Sequence, residues 1–170
     1  DRYFKTKIPK RSRSYWIEFS NYLLKSKTGS KFIIGSLTCL KNRDELLLIP
    51  SYEDLLLKPA KTKLNKNNKW YDSNFNIIKN HNTINPSNKN QFAMPLDLYR
   101  KGIYMRRWKS GDRILSATSN QNILISDLFI NNKLSVIRKL IQPIVVDRMD
   151  KILWVPGIAH VNLKSKLNNH

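Results

Sequence analysis

The amino-acid sequence predicts an α+β protein: a helix and β-hairpin module, then a C-terminal domain in which short helices accompany a small mixed sheet. Three observations lead there. Apolar side chains recur at helical spacing from Ser14 onward, the period becomes strand-like across 31–50, and residues 91–170 mix helical and extended runs without any internal repeat. At 170 residues and 41% hydrophobic content, the chain has room for one compact domain or two small ones, each with a real core.

Residues 1–13 carry Arg2, Lys5, Lys7, Lys10, Arg11 and Arg13 around Pro9 and read as an extended basic lead-in. In the following segment Tyr15, Trp16, Phe19, Tyr22 and Leu23 share one helical face. Ser12 or Ser14 caps its start and Thr28-Gly29-Ser30 ends it. An aromatic stripe at that spacing is core rather than a ligand platform. Residues 31–40 and 45–49 read as two strands joined by Lys41-Asn42-Arg43-Asp44, with Pro50 closing the second and a short apolar stretch at Leu55, Leu56 and Leu57.

Residues 58–90 are rich in Lys, Asn and turn residues, and read as a linker in which Trp70, Tyr71, Phe75, Ile77 and Ile78 form one or two short strands. The expected organisation is therefore a module over 1–57, a linker over 58–90 and a C-terminal domain over 91–170. In that domain a strand is predicted at 104–108, helices at 123–131 and 134–141, a hairpin of 144–147 with 151–155, and a last strand within 158–163. Pro143 stops the second helix.

Charge narrows the partners. Thirty-one Lys and Arg against twelve Asp and Glu give a formal net charge of +19, which favours a polyanion because each phosphate neutralised releases counterions. Abundant Lys with Asn and Ile also fits compositional drift in an AT-rich genome, whereas clustered Arg does not. A single cysteine, Cys39, excludes an internal disulfide and a Cys-rich zinc site, and reads as a small buried hydrophobe. His81, His160 and His170 are too scattered for a metal site. No transmembrane run or signal peptide is evident, so a soluble cytoplasmic protein without a membrane partner is expected. The chain begins at Asp1 rather than Met, as a piece of a longer protein would.

The run Tyr104-Met105-Arg106-Arg107-Trp108-Lys109-Ser110-Gly111-Asp112-Arg113 brings a basic strand into a Gly-Asp turn. It is followed by Ser126-Asp127-Leu128-Phe129 with Lys133, and by Trp154-Val155-Pro156-Gly157. In order and residue type these resemble the C-terminal domain of the tRNA(Ile)-lysidine synthetase family; the helix from Ser14 and the strands of 31–50 look like the end of its middle domain. The resemblance implies a tRNA partner, isoleucine tRNA. It also implies a ligase that uses ATP to adenylate the wobble cytidine and lets lysine displace AMP. That chemistry belongs to an N-terminal domain with a Ser-Gly-Gly-rich pyrophosphate loop, which needs ATP and magnesium. No such loop is present here, so no catalytic residue, metal ligand or cofactor is expected in this chain. A homodimer is an open possibility. Two departures remove cations from the expected RNA face: Asn122, Ile123 and Leu124 stand where the family carries adjacent Lys, and Ala159 and His160 follow the last motif without a basic residue.

The candidate RNA-binding residues are Arg106, Arg107, Lys109, Arg113, Lys133, Arg138 and Lys139. Arg106 and Arg107 are neighbours on a strand and point to opposite faces. For either, a phosphate contact competes with a salt bridge to Asp112 or Asp127. Gly111 and Asp112 make a turn, Asp127 favours its helix dipole, and Trp108 is core before it is a base-stacking platform. Lys133, Arg138 and Lys139 face phosphate or only solvent. Two other readings stand beside the resemblance: a free-standing basic RNA-binding protein, and a non-catalytic protein-interaction domain.

Overall fold

The structure, a computed structural model, describes residues 10–50, 52, 61–71, 73–79, 88–117, 121–161 and 163. Leu55 to Leu57 and the first nine residues lie outside them. The fold is α+β, with four helices among the described residues and small sheets whose pairings are all antiparallel. The chain divides into two compact units, 1–58 with 135–137, and 59–134 with 138–170.

The first unit is built as the periodicity requires. Helix α1 spans Arg13–Lys25, and the Ser12 hydroxyl accepts the Tyr15 amide at 3.3 Å as its N-cap. Lys25 sits in the last turn, where a cation suits the helix dipole. The aromatic stripe closes on Phe32, with the rings of Tyr15, Phe19 and Tyr22 at 5.2–5.3 Å from it. The Tyr22 hydroxyl reaches the backbone carbonyls of Ser30 and Cys39, both at 2.9 Å. Burial, reinforced by the neighbouring Cys39 thiol, pushes the Tyr22 phenol up to about 12.

Residues 31–40 form two strands rather than one. Strands β1 (Lys31–Ile34) and β2 (Leu37–Asn42) fold back at Gly35-Ser36, with Ile34 opposite Leu37. Gly35 takes φ 61, which its missing Cβ permits without cost, so a two-residue turn fits inside a run that reads as continuous. Strand β3 (Glu45–Pro50) pairs with β2 beyond the predicted turn at Arg43. Ile34, Leu37, Cys39 and Leu40 are buried, and burial raises the Cys39 thiol pKa.

The second unit centres on a five-stranded sheet in the order β12 (Ala159–His160), β11 (Ile152–Val155), β10 (Pro143–Asp147), β7 (Ile103–Arg107) and β4 (Lys61–Lys63). Its first strand corrects the expectation of a linker. Residues Lys61–Lys63 form β4 and pair with β7 (Ile103–Arg107), Lys61 opposite Arg106. Strands β5 (Asn67–Trp70) and β6 (Ser73–Asn76) then make a hairpin. Leu64 and Trp70 enter the core, and the Trp70 indole donates to the Ile141 carbonyl at 2.7 Å. An edge strand bearing lysines has the composition of a linker, because exposed polar side chains serve both. Residues 80–87, in the same expected linker, lie outside the described residues.

After the short helix α2 (Leu96–Arg100), strand β7 leads through a turn into β8 (Arg113–Leu115), which pairs with β9 (Asn122–Leu124). Helix α3 is therefore Ile125–Asn131 rather than 123–131: Ile123 is held as a strand residue opposite Ile114. Ile125 and Phe129 are fully buried. Helix α4 is Val136–Ile141, two residues shorter than predicted. Strands β10 (Pro143–Asp147) and β11 (Ile152–Val155) form the predicted hairpin, while the last strand contracts to β12 (Ala159–His160). Ile103, Met105, Ile144, Val145, Val146 and Val155 fill the sheet's core. Among the described residues no helix is long and apolar enough to cross a membrane.

Candidate nucleic-acid interface

Strand alternation sends Arg106 and Arg107 to opposite faces, as the sequence requires. The Arg107 guanidinium donates to the Tyr71 hydroxyl and lies 5.9 Å from that ring's centre. Burial raises the Tyr71 phenol pKa, opposed by the Arg107 charge. Arg106 is only 6% exposed. Its Nη1 and Nη2 donate to the two Asp112 oxygens at 2.9 and 3.0 Å, and its Nε donates to Asp150 at 3.0 Å. Nη1 also reaches the Arg107 carbonyl at 2.8 Å. The expectation that Arg106 meets phosphate is corrected accordingly. Its planar fork matches one carboxylate bidentately and leaves little for an outside anion. Of the two acids weighed from sequence, Asp112 is the partner; Asp127 is exposed in the first turn of α3.

Asp112 fixes the turn from both sides. Its carboxylate accepts the Lys109 amide at 2.8 Å, its own amide donates to the Lys109 carbonyl at 3.1 Å, and its carbonyl accepts the Ile125 amide at 2.9 Å. Gly111 takes φ 86 within that turn. Asp150, itself at φ 65 in the β10–β11 turn, receives Lys61 at 3.1 Å and Lys109 at 3.3 Å. Burial pushes its carboxyl up, but hydrogen bonds from Arg106, Lys61 and Lys109 and the Arg106 charge outweigh that and hold it at about 2. Burial likewise opposes the Arg106 charge, and hydrogen bonds to Asp112 and Asp150 more than offset it, so its pKa rises.

Two predicted cations emerge from this frame toward solvent. Lys109 is exposed, with its side chain 68% accessible, and Arg113 is exposed while donating to the Asn122 carbonyl at 3.3 Å. Arg113 borders a groove of about 240 Å³ whose walls include Arg106, Asp112, Asn122, Asp150 and Lys151. Lys133, exposed at φ 53 beyond α3, and Arg138 and Lys139 on α4 do not line that groove. Trp108 is core: its indole donates to the Lys139 carbonyl at 2.7 Å and its ring meets Phe129 edge-on at 5.2 Å. Trp154 packs under Phe92 and Phe75.

Sequence reasoning missed Asp150, Lys61, Tyr71 and Lys151 at this site. The scarcity of acids was the available signal, since twelve carboxylates among thirty-one cations are valuable partners for any Arg that must be buried. Among the described residues no group of His, Cys, Asp and Glu is placed to hold a metal ion.

No protein-family model matches the chain. Over 56 residues it is 38% identical to the tRNA(Ile)-lysidine synthases of Thermotoga sp. (strain RQ2) and Thermotoga maritima, and 32% identical to that of Bacillus licheniformis. The matched stretch is 33% of this chain but 13% of the Thermotoga proteins and 12% of the Bacillus one, so the chain matches only about an eighth of these relatives' length. A solved structure described as the crystal structure of the TILS C-terminal domain aligns over 48% of this chain and 62% of its own, at 23% identity and a TM-score of 0.40. The resemblance read from the motifs is thus also a measured similarity, over a third of the sequence.

Proposed function

We propose that this chain is a tRNA-binding, C-terminal portion of a tRNA(Ile)-lysidine synthetase. The ATP- and magnesium-dependent attachment of lysine to the wobble cytidine belongs, in this reading, to a pyrophosphate-loop domain that these residues do not form. Here the chain's task is to hold isoleucine tRNA while that domain acts. The observation that carries the reading is the turn between β7 and β8. It exposes Lys109 and Arg113 on a backbone already fixed by the buried Arg106–Asp112 pair. A cation presented from a fixed turn gives up less conformational entropy on meeting phosphate than one on a mobile loop. The named relatives, all tRNA(Ile)-lysidine synthases, support the choice of tRNA as the polyanion.

Salt-dependent binding of an isoleucine tRNA transcript tests it. Replacing Lys109 and Arg113 together by Ala is expected to weaken binding about tenfold or more near 50 mM salt. The slope of log affinity against log salt should become shallower by about two, one for each phosphate no longer neutralised. Unchanged affinity and slope would refute the assignment.

A further inference from the structure

We infer that the outward face of the β5–β6 hairpin is a second RNA-contacting surface, reading sugar hydroxyls and phosphates mainly through amides. The inference rests on the reading that the chain binds tRNA. Alternate residues of a hairpin share a face. Asn67 stands opposite Asn76 and Lys69 opposite Asn74, so these four take one side. Asn68, Trp70, Ser73 and Phe75 take the other.

The two faces are used differently. On the inner one Trp70 is buried against Ile141 and Phe75 meets Trp154 at 6.2 Å. The Asn68 carboxamide is consumed by the chain itself: its oxygen accepts the Asn65 amide at 2.8 Å and its nitrogen donates to the carbonyls of Asn65 and Phe75. On the outer face Asn67, Lys69, Asn74 and Asn76 are all exposed and, with Asn68, line a groove of about 460 Å³. The Asn67, Asn74 and Asn76 carboxamides make no hydrogen bond to another described residue.

Each carboxamide offers two donors and an acceptor. A ribose 2′-hydroxyl both donates and accepts, and phosphate oxygens accept, so a row of amides complements an RNA backbone; DNA lacks the hydroxyl. Lys69 supplies charge within the row, and the segment 61–79 carries five lysines against the single acid Asp72. A protein partner would call for apolar or aromatic anchors, and this face has none.

The test is fluorescence-anisotropy titration of the whole chain with a tRNA transcript and with DNA of the same sequence, across a salt series. N67A/N74A/N76A is expected to lower tRNA affinity about tenfold or more with the salt slope unchanged, because no charge is removed. Lys69→Ala should make the slope shallower by about one. A second triple, N67D/N74D/N76D, keeps side-chain shape, adds negative charge and should lose more. Wild-type affinity for DNA should start lower and respond little to the alanine triple. If both triples bind tRNA like wild type while the Lys109 and Arg113 variant is impaired, the hairpin face is not an RNA surface and the proposed function stands. Equal losses for tRNA and DNA would overturn recognition of the ribose. Failure of the wild-type chain to bind tRNA would overturn both.

Discussion

The turn between β7 and β8 and the hairpin of β5 and β6 are both short, polar and basic, yet they are anchored by opposite means. Ions hold the turn: Arg106 is buried between Asp112 and Asp150, and Lys61 and Lys109 complete the cluster. Apolar packing holds the hairpin, through Trp70 and Phe75, and its outer amides are left to solvent. The difference teaches something about charge. A cation counted in the sequence is not a cation offered to a partner once it is buried against carboxylates, as Arg106 is, whereas Lys109, though 3.3 Å from Asp150, keeps its side chain 68% exposed. Of the basic residues in the Arg-rich run, the most buried is Arg106, and the residues best placed for an external anion are Lys109 and Arg113.

Five variants sharpen this contrast or break it. The largest effects come from the two anchors. Arg106→Ala should destabilise the fold by about 3–5 kcal/mol, since it strands buried Asp112 without its cation. Trp70→Ala should cost a similar 3–5 kcal/mol through the cavity left and the missing indole hydrogen bond. Urea denaturation measures both. A Trp70 variant as stable as wild type would return 61–79 to the status of a linker. A neutral effect at Arg106 would mean that the guanidinium is solvated, and so free for phosphate after all.

A smaller cost, about 1–2 kcal/mol, is expected for Gly111→Ala. No atom lies within 4 Å of the added Cβ, so only the strain of φ 86 acts. A thermal melt indistinguishable from wild type would show that the turn shifts to accommodate the methyl group. Smaller again is Lys61→Ala, expected below about 0.5 kcal/mol because its pair with Asp150 is partly exposed and screened.

The last expectation is pH-dependent. The Asp150 carboxyl is lowered from its ordinary 3.8 to about 2, so its contribution is fully present above roughly pH 5 and disappears as pH falls through about 2. Asp150→Asn should therefore lower stability at neutral pH and flatten the acid limb of the melting curve in that window. An acid limb identical to wild type would place the acid-labile group elsewhere.

What was legible in the sequence was local. The aromatic stripe of α1 needs only the 3.6 period and a serine cap, and the β10–β11 hairpin only two apolar runs around Arg148-Met149-Asp150. The opposite orientation of Arg106 and Arg107 follows from the strand period alone, and the Gly-Asp turn from the φ that glycine allows. The tertiary structure decided what depends on partners distant along the chain. Lys-Thr-Lys is a strand because β7, some forty residues on, offers an open edge, and no property of those three residues announces it. Ile123 and Leu124 are drawn out of the predicted helix by β8 for the same reason. Arg106 binds carboxylate instead of facing solvent because folding brings Asp150 from another turn to its Nε, and burying a charge requires such a partner. Sequence alone determines which residues can carry charge, turn or alternate. Only the fold, by setting which carboxylates and edges come within about 3 Å, determines which of those charges remain available to an anionic partner.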